Sequence, residues 1–221
     1  MSKQSITERG IAIDATTRDR IVTAAIRLFA ERGYRGTTVG DIEAAAGLSP
    51  RAGGLYKHFA SKEEVLEAGI ERHVSELEAM RPTLETMPFD DLRGGLALVA
   101  RWALAALADE MPLMKIVQKD GDRFPALAAE VYERIVARGH RDAEALVRRI
   151  MGDAAGDQAD VFASLVLNAL VGYRLEQTMF GNPQGQVAEE DFIETWVEMV
   201  ATCVETARRR ARRRRGSEVV S

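Results

Sequence analysis

The stretch from Thr38 to Lys62, TVGDIEAAAGLSPRAGGLYKHFASK, constrains the fold of this chain more than any other. Thr38 suits the N-cap of a helix, with Asp41 placed to close a capping box. Val39, Ile42 and Ala46 then fall on one helical face, and Gly47 can take the left-handed conformation that stops a helix. Ser49 offers a second N-cap, and Pro50 follows at a first helical position, where its missing N–H costs nothing. Two short helices split by a glycine-containing turn form a helix-turn-helix, whose second helix enters the DNA major groove. The spacing predicts a head that reads DNA.

Charge is distributed to match. The chain of 221 residues carries a formal net charge of −4, which argues against a DNA binder only when read as a total. Residues 1–60 hold 9 Lys and Arg against 6 Asp and Glu, residues 61–207 hold 14 against 27, and residues 208–221 hold 7 Arg against 1 Glu. An acidic body with a basic head confines phosphate attraction to one end. The length suffices for a buried core, and the apolar fraction of 46% without alternating β-branched runs predicts an all-α chain. No long uncharged apolar run predicts a membrane span, and the start MSKQSITERG lacks an apolar leader core, so a cytoplasmic protein is expected. The lone Cys203 leaves neither a disulfide pair nor a cysteine set for zinc.

Helical periodicity and breakers divide the chain. Residues 1–16 read as a flexible arm, and residues 17–62 as a three-helix DNA-binding head whose first helix is capped by Thr17 and stopped by Gly33. Ser61 and Glu64 form another capping box, starting a fourth helix near Lys62 that runs to about Met80 and breaks at Pro82. Residues 63–207 read as a helical bundle for ligand binding and dimerisation, with helices at about 89–108, 112–119, 125–151, 158–180 and 189–211. Residues 208–221 form a basic tail. Its arginines are either a second nucleic-acid patch or a solvated helix end favoured by the helix dipole.

The run IVTAAIRLFAERGYRGTTVGDIEAAAGLS followed by LYKHFASKEEVL is similar to the N-terminal domain of the TetR family of transcriptional regulators; it covers roughly the first third of the chain. The segment PRAGG is longer than the family's usual spacing at this point. The resemblance implies phosphate contacts at Thr38, Tyr56, His58 and Lys62, and hydroxyl, basic and helix-terminal donors suit phosphate oxygens on physical grounds too. Lys57 lies in the same basic cluster. Family members place hydrogen-bonding side chains just before the Leu-Tyr pair, where this chain has Ala52, Gly53 and Gly54. These can meet a thymine methyl or admit close backbone approach, but make no bidentate bond. Arg51 is the nearest side chain able to grip guanine, and a phosphate is its other candidate partner.

The last two long helices carry apolar faces too wide for one core: Leu165, Ala169 and Gly172 on one, Phe192, Trp196, Val200 and Cys203 on the other. The resemblance implies a two-fold homodimer built from these helices, which suits a palindromic operator. Trp102, Met114, Phe124, Tyr132, Asn168 and Tyr173 supply the aromatic, thioether and amide groups of a cavity for an apolar small-molecule effector, and equally those of an ordinary core. No catalytic motif, metal-ligand spacing or cofactor fingerprint is present, so neither enzyme, metal nor cofactor is expected. The resulting expectation is a ligand-responsive, sequence-specific repressor on double-stranded DNA, released by an apolar or amphipathic molecule. The alternative is a helical small-molecule-binding protein with only non-specific DNA affinity.

Overall fold

Capping residues set the boundaries of the N-terminal elements. The computed structural model describes residues 16–181 and 187–218, and these form helices and turns without a strand among them. Helix α1 (Thr17–Arg32) is capped by Thr16 rather than by the expected Thr17. The reason is register: three residues beyond Thr16 stands Asp19, whose carboxylate accepts the Thr16 N–H, whereas three beyond Thr17 stands Arg20, which has no acceptor. Gly33 ends α1 at φ 78°. Helix α2 (Val39–Ala45) has the Thr38–Asp41 capping box, and Gly47 follows at φ 72°. Helix α3 (Lys62–Thr86) begins with the Glu64 N–H on the Ser61 hydroxyl at 3.2 Å.

The chain divides into two compact units, residues 1–71 and 72–221, the division falling within α3. In the first, Ile21, Ala25, Leu28 and Phe29 of α1 are buried together with Ile42 of α2, Leu55, Phe59, and Val65, Leu66 and Ile70 of α3. The Ile26 side chain packs onto the bare backbone of Gly69, where an added Cβ would stand 2.4 Å from Ile26 Cδ1.

The second unit contains α4 (Leu92–Asp120), α5 (Pro125–Val131), a π-helical turn (Tyr132–Val136), α6 (Ala137–Met151), α7 (Ala159–Phe180) and α8 (Glu189–Glu218). Helix α4 packs against α7 and α8, and α6 against α7. Their core includes Leu96, Ala100, Leu104, Val147, Ile150, Ala163, Val166, Leu170, Ile193, Trp196, Val200 and Val204. Two expected breaks do not occur, since Pro82 lies inside α3 and Pro112 inside α4. A helical proline forfeits one backbone bond, at about 3 kcal/mol or more. Continuation past Pro112 buries Leu113 and Ile116. Continuation past Pro82 lets the Glu85 carbonyl accept from Arg149. Helix α8 is seven residues longer at its C-terminus than expected, reaching Glu218. No helix among the described residues is long and apolar enough to cross a membrane. The arm expected over 1–16 (apart from Thr16), residues 182–186 and the last three residues of the tail lie outside the described residues.

Candidate nucleic-acid interface

Thr38 is exposed at the start of α2. Its hydroxyl donates to Asp41 Oδ2 at 2.6 Å and accepts the Asp41 N–H at 3.1 Å. The Thr38 hydroxyl and N–H together hold the Asp41 carboxyl below the usual carboxylate range. Thr38 is therefore first a cap, its hydroxyl proton already committed.

Beyond Gly47 the structure departs from expectation. The helix predicted from Ser49 and Pro50 does not form, and the segment up to Ala60 is a series of turns with one 3-10 turn at Leu55–Lys57. Arg51 takes φ 62° and Gly53 φ 70°, left-handed conformations that no right-handed helix accommodates. The physical cause lies in α2. Glu43 is fully buried, and its carboxylate accepts the N–H of Arg51 at 2.6 Å and of Leu55 at 3.0 Å. The PRAGG segment wraps around that carboxylate, so local helix signals lose to a buried charge that must be satisfied. One signal of this was present in the sequence: Glu43 stands between Ile42 and Ala46, on the inward face of its helix.

This path leaves Arg51, Tyr56, Lys57 and His58 exposed on one short segment, Tyr56 at 58%. The Arg51 side chain runs past Gly40, where an added Cβ would meet its Cγ at 3.5 Å, which carries the guanidinium toward the start of α2. Ala52 is exposed, while Gly53 and Gly54 are half-buried. A Cβ at Gly54 would stand 3.3 Å from Leu48 Cδ1, so this glycine serves the fold by letting the turn lie on Leu48.

Lys62 requires a correction. Its ammonium donates to the carbonyls of Tyr34 at 2.8 Å and Thr37 at 2.7 Å and lies 4.1 Å from the Tyr34 ring centroid. Thr37, a residue that the helical pattern did not mark, is buried and donates its hydroxyl to the carbonyls of Leu28 and Gly33. Lys62 thus clamps the 34–37 turn that leads into Thr38, instead of reaching outward to a phosphate.

Comparison with known proteins matches this head directly. The family model for bacterial regulatory proteins of the tetR family fits residues 21–68. Residues 21–68 thus match the DNA-binding head of the TetR family. Among curated relatives, the HTH-type transcriptional regulator TcmR of Streptomyces glaucescens is 35% identical over 128 residues, 53% of each chain. The chain thus spans about half the length of that relative. A TetR-family regulator from Mesorhizobium loti shares the fold at TM-score 0.60 and 24% identity, over 83% of this chain and 94% of that one. AibR, solved in complex with isovaleryl coenzyme A and operator DNA, matches at TM-score 0.58 and 19% identity, over 83% and 97%. These two likenesses establish the all-α TetR fold and nothing finer.

Outside this head the expected interface and ligand residues separate into inward and outward groups. Trp196 and Val200 are corrected: both lie in the core of their own unit, and Trp196 Nε1 donates to the Val166 carbonyl at 3.0 Å. Leu165, Gly172 and Cys203 are exposed, and Ala169 and Phe192 half-buried. Of the expected cavity residues, Trp102, Met114 and Phe124 are half-buried. Tyr132 and Asn168 are corrected, because both are exposed and line no interior. Tyr173 stacks on Phe192 with ring centroids 4.2 Å apart and donates its hydroxyl to the Val187 carbonyl, which seats the start of α8. Arg208 of the basic run donates to the Ile150 carbonyl near the end of α6, whereas Arg209, Arg210, Arg212 and Arg213 are exposed.

Proposed function

We propose that this chain is a homodimeric, operator-binding transcriptional regulator, a repressor released by an apolar or amphipathic small molecule. The observation that carries the DNA-binding reading is the exposed Arg51, Tyr56, Lys57 and His58 on one segment, anchored from below by buried Leu55 and Phe59. Guanidinium, ammonium and phenol all donate to phosphate or base acceptors at neutral pH, and imidazole does so through either ring nitrogen.

Dimerisation is supported by α7. Val161, Leu165, Asn168, Gly172, Leu175 and Met179 are all exposed, and they follow one another by four and three residues in alternation. That is the spacing of a helix seam that packs against another helix. On α8, the uncharged Thr195, Met199, Thr202 and Cys203 are exposed as well. A second copy is the natural cover for such a surface, and two heads would then meet successive major grooves about 34 Å apart. For the effector, the interior near the half-buried Trp102, Met114 and Phe124 is proposed. The buried His73 supports it, because among the described residues its Nε2 has no hydrogen-bond partner, and it suits a polar group of a guest. A ligand that prefers the non-binding form by about ten-fold weakens DNA binding by up to about 1.4 kcal/mol.

The test is fluorescence anisotropy with duplexes from the DNA flanking its own gene and with scrambled duplexes, at moderate salt. Preference for the native duplex supports the reading. Equal, salt-sensitive binding of both would leave a small-molecule-binding protein whose head no longer discriminates.

A further inference from the structure

We propose that Glu43, which faces away from solvent, sets sequence discrimination by holding the DNA-reading segment in register. This rests on the DNA-binding reading above. The carboxylate is fully buried, and its two oxygens accept from the N–H groups of Arg51 and Leu55. Those two donors bracket the whole extra stretch, so one side chain ties both ends of the turn to α2. The main chain of Glu43 contributes as well, since its carbonyl accepts the Leu48 N–H at 2.8 Å.

Arg51 is held at φ 62°, a conformation that a non-glycine residue keeps only when its surroundings over-determine it. Its N–H bond to Glu43 is one such constraint, and its position decides where the guanidinium points. Reading a base edge tolerates misplacement of only about 0.5 Å. Leu55 N–H, the other donor, immediately precedes the exposed Tyr56 and Lys57. Glu43 is thus a positioning residue. It acts through Arg51 and the 55–58 turn, and a glutamine cannot replace it, because an amide offers one acceptor oxygen and turns a donor toward the other N–H.

The experiment uses the full chain and Glu43→Gln, with anisotropy on the native flanking duplex and a scrambled duplex across a salt series. The variant is expected to lose about ten-fold or more of the native-to-scrambled affinity ratio, while the scrambled affinity and the salt slope stay as in wild type, because the phosphate-facing side chains remain. An unchanged ratio in the variant overturns the role of Glu43. Absence of discrimination in the wild type itself overturns the DNA-reading function instead. Amide hydrogen exchange on the wild type tests the same point without depending on how the variant folds. The Arg51 and Leu55 amides should be protected to the level of Ile42 in α2, and exchange at the rate of an open loop contradicts the proposal.

Discussion

Replacing Lys62 by Met separates a structural clamp from a phosphate contact. The ammonium makes two charge-assisted bonds to main-chain carbonyls, at 2.8 and 2.7 Å, and such bonds contribute about 1.5–3 kcal/mol each. It also sits 4.1 Å from the Tyr34 ring centroid, an arrangement worth about 0.5–2 kcal/mol. Against these stand the desolvation of a half-buried ammonium and the apolar stem that Met retains, leaving a net loss of about 2–4 kcal/mol. The loss should concentrate at the 34–37 turn, whose Tyr34 and Thr37 are buried. Urea denaturation measures the total, and amide exchange at Thr37 and Thr38 localises it. DNA binding supplies the contrast. Removing a phosphate contact would flatten the salt slope by about one unit, whereas removing a clamp leaves the slope of the remaining folded protein unchanged. A Lys62→Met protein as stable as wild type, with a slope lower by about one, would refute the reasoning.

Other positions give sharper contrasts between inside and outside. Trp196→Ala should cost about 3–5 kcal/mol in chemical denaturation because it empties a core site, and a cost below about 1 kcal/mol would place the ring outside the core. Leu165→Glu, on an exposed seam position, should leave the subunit fold intact by circular dichroism yet shift sedimentation from dimer to monomer, and an unshifted dimer would remove α7 from the interface. Glu110 has its carboxyl pushed up from 4.5 to about 7 by burial. The folded state therefore binds this proton more tightly than the unfolded chain, and the contribution is complete below the unfolded value and lost as pH rises toward the folded one. Glu110→Gln should abolish up to about 3 kcal/mol of the stability loss that wild type shows between about pH 5 and about pH 8, and urea midpoints that fall equally in both proteins would contradict it.

Much of the head was legible because its caps are local. Thr38 with Asp41, Gly33 and Gly47 each act within one turn of the chain and appear where the sequence places them, while Ser61 takes the Glu64 N–H and the Glu64 carboxylate turns to the Ala60 N–H rather than closing the box. The segment after Ser49 was not legible in the same way. Its serine and proline announce a helix, but the deciding partner is the Glu43 carboxylate, which reaches Leu55 twelve residues on. Lys62 illustrates the same limit: a lysine beside a tyrosine and a histidine suggests phosphate, and only tertiary structure shows two carbonyls waiting for it. On α8 the apolar stripe was visible, but its division was not. Ile193, Trp196, Val197, Val200 and Val204 turn inward, while Met199 and Cys203 turn outward. Width of a stripe does not say which residue enters the core, and helix packing alone decides it. Pro82 and Pro112 mislead for a related reason, since a lost backbone bond is outweighed where the continuing helix is packed or tied.

Hydroxyl-radical footprinting on the DNA flanking its own gene tests the central claim most directly. A dimer with two reading segments predicts two protected patches on one face of the duplex, centred about one helical turn apart and related by a palindrome. The patches should persist at moderate salt and vanish with Leu165→Glu. Binding that retards the duplex but leaves cleavage uniform along it, or a single unpaired patch unaffected by Leu165→Glu, would contradict the account.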